Sequence, residues 1–140
     1  MTENRTPAQW YALLFGATLL LVGILGFISD SSFGSGDDVE GSDFIIFEVN
    51  GWHNIVHILS GLLGLALWRR ADTARLYALG FGATYLVVTA WGFITGDQVL
   101  ARAGRRRPDN VLHLLIAVAG IAAGLASRPR KPAERRPRTA

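Results

Sequence analysis

Four stretches of the chain contain no Asp, Glu, Lys or Arg: residues 10–28, 51–68, 76–94 and 111–126. Charged and turn-forming residues are confined to the segments between and beyond them. Within each stretch the apolar positions run on without alternating, which argues for helices and against half-exposed strands. A bilayer core of ~30 Å takes ~20 helical residues, with a range of about 17–25. Only helices or closed barrels satisfy every backbone group in lipid. The pattern therefore predicts an all-α polytopic membrane protein with four transmembrane helices at about 10–29, 51–69, 75–95 and 110–126. Residues 1–9 form a short N-terminal segment, 10–127 the membrane domain, and 128–140 a disordered basic tail. The fourth run is the shortest, and Asp109, Asn110 and Ser127 supply polar ends for it.

The runs repeat. YALLFGATLLLVGILGFI (11–28) and YALGFGATYLVVTAWGFI (77–94) are identical at 12 of 18 positions at an offset of 66. Tyr11 meets Tyr77, Phe15 meets Phe81, Gly16 meets Gly82, Thr18 meets Thr84, and Gly26 meets Gly92. NIVHILSGLLG (54–64) aligns with NVLHLLIAVAG (110–120) at an offset of 56, matching Asn54 to Asn110, His57 to His113 and Gly64 to Gly120. The chain reads as a tandem duplication of a helical hairpin, hence a four-helix bundle. Parallel repeats of this kind are related by a pseudo-two-fold axis along the membrane normal. The first run exceeds the usual leader-peptide core of about 7–15 residues and matches a mid-chain segment, so it is expected to be a mature helix.

Charge sets the expected orientation. Arg5, Arg69, Arg70, Arg75 and the six basic residues of the tail fall on one side. Arg102, Arg105, Arg106 and Arg107 fall on the other, and loop 30–50 has none. The positive-inside rule places both termini in the cytoplasm, with the four-arginine loop opposing locally. Loop 30–50, carrying six carboxylates, is expected to be a mobile outer loop, its FIIF stretch (44–47) lying along the interface or extending the second helix.

Composition narrows the class. Half of the 140 residues are hydrophobic and 18% are charged, against roughly a quarter charged in soluble domains. That excludes a disordered chain. The absence of cysteine excludes disulfides, thiolate metal sites and a cysteine nucleophile. Thirteen of the fourteen basic residues are Arg, a skew that fits a GC-rich bacterial genome and a bacterial cytoplasmic membrane. The Pro-rich basic tail suits anionic headgroups, and no aromatic or folded module points to nucleic acid.

The chemistry-bearing side chains cluster near the outer ends of the second and fourth helices. His53 and His57 are i and i+4, so they share a face. Asn54–His57–Gly61–Gly64 and Asn110–His113–Ala117–Gly120 form one stripe on each helix. Small residues let helices approach and polar ones bond across them, which predicts a polar Asn–His face between helices 2 and 4. Gly16, Gly82, Gly23 and Gly92 are expected to be packing sites or an oligomer face. Asn50 and Asp109 are expected N-caps. Trp10, Trp52 and Trp68 suit interfacial anchoring, and Trp91 suits packing within the bundle.

The repeated N-x-x-H-x-x-x-small-x-x-G pattern, with DNVLHLLIAVAG and the RLYALGFGATY segment, resembles the domain-of-unknown-function family 4383. The resemblance covers residues 10–126 and implies a short four-helix membrane protein, mostly actinobacterial, with no established activity.

Three readings follow. The first is a non-enzymatic structural or accessory protein in the lipid bilayer, acting alone, as a homo-oligomer or with a membrane partner, its Asn–His pairs being interhelical glue. The second is a haem b electron carrier ligated by His57 and His113, with Gly61, Gly64 and Gly120 making room for the macrocycle. The third is a small transporter or channel formed by an oligomer. A metal site from His53, His57 and His113 lacks a nearby acidic or sulfur ligand. No nucleophile elbow or phosphate loop occurs, and Ser60 near His57 lacks an orienting acid, so no enzyme and no metal are expected.

Overall fold

Thr6 opens the first helix. Its hydroxyl accepts from the Gln9 backbone N–H at 3.3 Å, and Gln9 Oε1 accepts from the Thr6 N–H at 3.0 Å, a reciprocal capping box. Pro7 follows at the position where a missing N–H costs nothing. Helix α1 therefore spans Pro7–Ser29 and begins before the apolar run, because the cap is built from polar residues. The structure is a computed structural model of the chain, describing residues 4–33, 42–44, 47–95 and 107–127; for 42–44, 47–49, 95 and 107–109 it describes the backbone alone.

A short antiparallel ribbon of β1 (Ser42–Phe44) and β2 (Phe47–Val49) pairs Ser42 with Val49 and Phe44 with Phe47. Of the two expectations for 44–47, extension of the second helix is thereby corrected: Phe44 and Phe47 pair in the ladder, while 45 and 46 lie outside the described residues. That helix, α2 (Gly51–Leu67), is fixed by Asn50, whose side chain accepts from the His53 N–H at 2.9 Å. Helix α3 spans Ala71–Thr95 and α4 spans Arg107–Ala126. Between α2 and α3 the chain turns within three residues. Thr73 Oγ1 donates to the carbonyls of Leu67 (2.8 Å) and Arg70 (3.1 Å) there.

Two helical hairpins, α1–α2 and α3–α4, make the largest interfaces, and they join mainly through α1, which meets both α3 and α4. The central cluster is Ala8, Tyr11, Ala12, Ala74, Tyr77 and Ala78. These are two copies of one Ala-x-x-Tyr-Ala motif at the repeat offset, so the duplication supplies both halves of its own core. Small residues let the α1 and α3 backbones approach, and the tyrosines fill what remains.

The large aliphatic side chains face outward. Leu14, Leu21 and Ile28 on α1, Leu59 and Leu63 on α2, Leu76, Val87 and Ile94 on α3, and Leu115 and Leu125 on α4 are each more than half exposed. Trp91 is also on the outside, at 57% exposure, contrary to the expectation that it packs inside; α3 buries Tyr85 and Thr89 instead. Two helices, Pro7–Ser29 and Ala71–Ile94, are long and apolar enough to cross a membrane, while Gly51–Leu67 and Asn110–Ala126 are apolar and shorter.

Candidate functional site

Each hairpin is closed at one end by an asparagine over a glycine. Asn54 is completely buried, and its Nδ2 donates to the Asp30 carbonyl at 2.8 Å, at the C-cap of α1. The contact requires Gly26: a Cβ there would run into the Asn54 carboxamide. Asn110 stands over Gly92 in the same way. The expected polar face between helices 2 and 4 is therefore divided. Its asparagines turn toward α1 and α3, inside their own hairpins, where Asn54 Nδ2 satisfies the Asp30 carbonyl at the end of α1.

The glycines behave likewise. A Cβ at Gly16 would meet the Gly61 carbonyl and the Leu65 amide, and one at Gly82 would meet the Ala117 carbonyl and the Ile121 amide. These contacts are equivalent under the repeat. Gly61 lies against the Leu20 and Gly16 backbones, and Gly23 against the backbone at Asn54 and Ile58. All are contacts within a hairpin.

Gly64 and Gly120 do something else. Gly64 is covered by the Tyr77 ring and Gly120 by the Tyr11 ring, so the room expected for a macrocycle is filled by tyrosine. The hydroxyls then cross between hairpins. Tyr11 Oη donates to the Ile116 carbonyl and Tyr77 Oη to the Ser60 carbonyl, both at 3.1 Å. Ser60 and Ile116 are repeat equivalents, so the two bonds are a pseudo-symmetric pair.

The histidines gather at the asparagine end. His53 Nε2 and His57 Nε2 are 3.0 Å apart, so one carries the shared proton and the other accepts it. His113 meets Tyr85 edge-on at 5.1 Å. Nδ1 of His57, Nδ1 of His113 and Oδ1 of Asn54 are buried and find no hydrogen-bond partner among the described residues. His57 thus bonds within its own helix, and His113 is held by a ring contact. Among the described residues no group of three His, Asp or Glu side chains is arranged to hold a metal ion.

The opposite end holds residues that the motif pattern did not single out. Gln9 Nε2 donates to the Arg69 carbonyl at 3.0 Å, and Arg75 Nε donates to the Gly124 carbonyl at 3.0 Å. Ser127 Oγ accepts from the buried Ala8 N–H at 2.9 Å, tying the start of α1 to the end of α4. The only sequence signal was their polarity at the margin of an apolar run. Arg102, Arg105, Arg106 and the tail lie outside the described residues. Asp109 does not take the expected cap position: α4 begins at Arg107, ahead of it, because a proline such as Pro108 is tolerated in a first helical turn.

A family model described as Domain of unknown function (DUF4383) matches residues 9–126. No curated protein and no solved structure matches the chain.

Proposed function

We propose that this chain, which belongs to the family described as Domain of unknown function (DUF4383), is a non-enzymatic four-pass protein of the bacterial plasma membrane. Its role is structural or accessory, exercised through the lipid and any membrane partner its outer surface meets. The observation that carries this reading is the inversion of the apolar surface. Large aliphatic side chains are exposed on all four helices, while the central cluster is Ala and Tyr, with glycines at the helix contacts. In water such a surface would drive aggregation; in lipid it is the solvent-facing surface, and small residues are what pack helices together. The 17 residues of α2 extend about 26 Å at 1.5 Å each, and Trp52 and Trp68 at its ends complete a crossing of a ~30 Å core. The pseudo-two-fold pairing of Tyr11 with Tyr77 supports one orientation for both hairpins, and the distribution of arginine supports cytoplasmic termini. A structural role fits the polar groups too. The Nδ2 amide of Asn54 and the hydroxyls of Tyr11 and Tyr77 are spent on backbone carbonyls of this chain.

The natural absence of cysteine permits a direct test. Single substitutions Ser35→Cys, Asp72→Cys, Ala103→Cys and Ala133→Cys would be probed in spheroplasts with a membrane-impermeant maleimide. Labelling at Ser35→Cys and Ala103→Cys, with protection of Asp72→Cys and Ala133→Cys until lysis, is the expected outcome. Labelling of Asp72→Cys and Ala133→Cys in place of the other two would overturn the orientation, and labelling of Asp72→Cys together with Ser35→Cys would overturn the four-pass arrangement.

A further inference from the structure

We infer that the end of the bundle formed by Arg5, Trp68 and Arg69 is a binding site for the headgroup phosphate of an anionic phospholipid. The inference rests on the membrane reading above. Arg5 Cζ lies 4.1 Å from the centroid of the Trp68 ring, and Arg69 Cζ lies 5.9 Å from it. Two guanidinium groups far apart in sequence are thus held on one indole. Each gains a cation–π contact, yet the two repel each other. Both are exposed, and neither makes an ion pair with a carboxylate among the described residues.

The scaffold beneath them is fixed. Trp68 caps α2, its N–H donating to the Gly64 carbonyl at 3.0 Å, and its ring packs on the Ala–Tyr core. Gln9 holds the Arg69 carbonyl, and the Thr6–Gln9 box places Arg5 just ahead of the N-cap of α1. Neutral partners therefore place two exposed guanidinium groups beside one ring, with no carboxylate among the described residues paired to either. An anion with several oxygens resolves that arrangement, and phosphate matches the guanidinium fork in geometry as well as in charge.

The source of the phosphate follows from position. Trp10 and Leu14, exposed and one turn apart on α1, continue from this end along the apolar surface where acyl chains run. The site occurs once, not twice. The repeat equivalent of Trp68 is Gly124, which has no ring to offer and whose carbonyl is occupied by Arg75. One anionic lipid per chain is therefore expected.

The test is native mass spectrometry of the full chain released from nanodiscs of equal phosphatidylglycerol and phosphatidylcholine. Retention of one phosphatidylglycerol per chain is expected, falling roughly fivefold for each arginine removed in Arg5→Gln and Arg69→Gln, with thermal unfolding unchanged. Trp68→Leu, which preserves an apolar packing group, should weaken retention through both arginines. Arg105→Gln, between α3 and α4 in the sequence, should leave retention as it is. Equal retention of the two lipids, or undiminished retention in the Arg5→Gln/Arg69→Gln double variant, would overturn the site. So would full competition by free glycerol phosphate, which would make it a site for a soluble anion. A chain that assembles into the nanodiscs without selectivity refutes only the lipid site. One that never enters them refutes the membrane reading.

Discussion

Asn54 sits directly on Gly26, its carboxamide occupying the volume that a Cβ at that glycine would take. The same residues at the repeat offsets, Asn110 and Gly92, are placed alike. A fully buried asparagine with its amide on the Asp30 carbonyl locks the start of α2 to the end of α1. The cost is a glycine inside a helix, about 1 kcal/mol of propensity relative to alanine.

This arrangement predicts a sharp contrast among glycines. Gly26→Ala and Gly92→Ala force a methyl into a filled space and should lower stability by roughly 1–3 kcal/mol. Gly80 has nothing within 4 Å of its would-be Cβ, and Gly80→Ala should be neutral or stabilise by up to about 1 kcal/mol. Denaturant titration of the detergent-purified variants measures all three. A Gly26→Ala variant as stable as Gly80→Ala would remove the Asn–Gly lock from the account.

The crossed tyrosines make a prediction about symmetry. Tyr11→Phe and Tyr77→Phe each delete one hydroxyl bond to a carbonyl of the other hairpin. Interhelical bonds of this kind in membranes average about 0.6 kcal/mol and reach about 1.7. The two variants should lose similar amounts within that range. One silent variant beside one costly variant would mean the pseudo-two-fold geometry is not matched in energy.

His113 offers a test of whether its imidazole is more than a packing group. Its ring meets Tyr85 edge-on while its Nδ1 is buried without a partner among the described residues. His113→Phe keeps a ring of similar shape and removes a buried polar atom whose desolvation costs about 1–3 kcal/mol. Stability should therefore be unchanged or higher in the same titration. A clear loss would show that the imidazole nitrogens matter to the folded protein, and would reopen the ligand readings.

The haem reading expects open room at Gly64 and Gly120, where the Tyr77 and Tyr11 rings lie. The protein purified from haem-replete cells should show no Soret band before or after dithionite. A band that sharpens on reduction and vanishes in both His57→Ala and His113→Ala would establish the redox reading in place of the structural one.

Much of the framework was legible in the sequence because it rests on short-range regularities. The offsets of 66 and 56 between matching segments announced two equivalent hairpins, and Asn50 announced a helix start. The pairing of partners was not legible. The stripe Asn54–His57–Gly61–Gly64 lies on one side of α2 by spacing alone, yet Asn54 and Gly61 pack on α1 while Gly64 also receives Tyr77 from α3. Periodicity fixes which residues share a face, not which neighbour that face meets. Tyr11 and Tyr77 stood out only as identical repeat positions, since a tyrosine in an apolar helix reads the same whether its hydroxyl reaches a headgroup or a carbonyl.

By itself, the sequence determined the duplication, the four helical segments and the sign of charge at each end, because each is written in local hydropathy and in residue identity at a fixed offset. Tertiary structure decided which glycine each asparagine covers, that the tyrosines cross between hairpins, and that Arg5 reaches the Trp68 ring. Those contacts join residues far apart in the chain. They depend on the angle and register at which helices pack, set by the fit of small residues against large ones across the interface, and a linear pattern does not specify that fit.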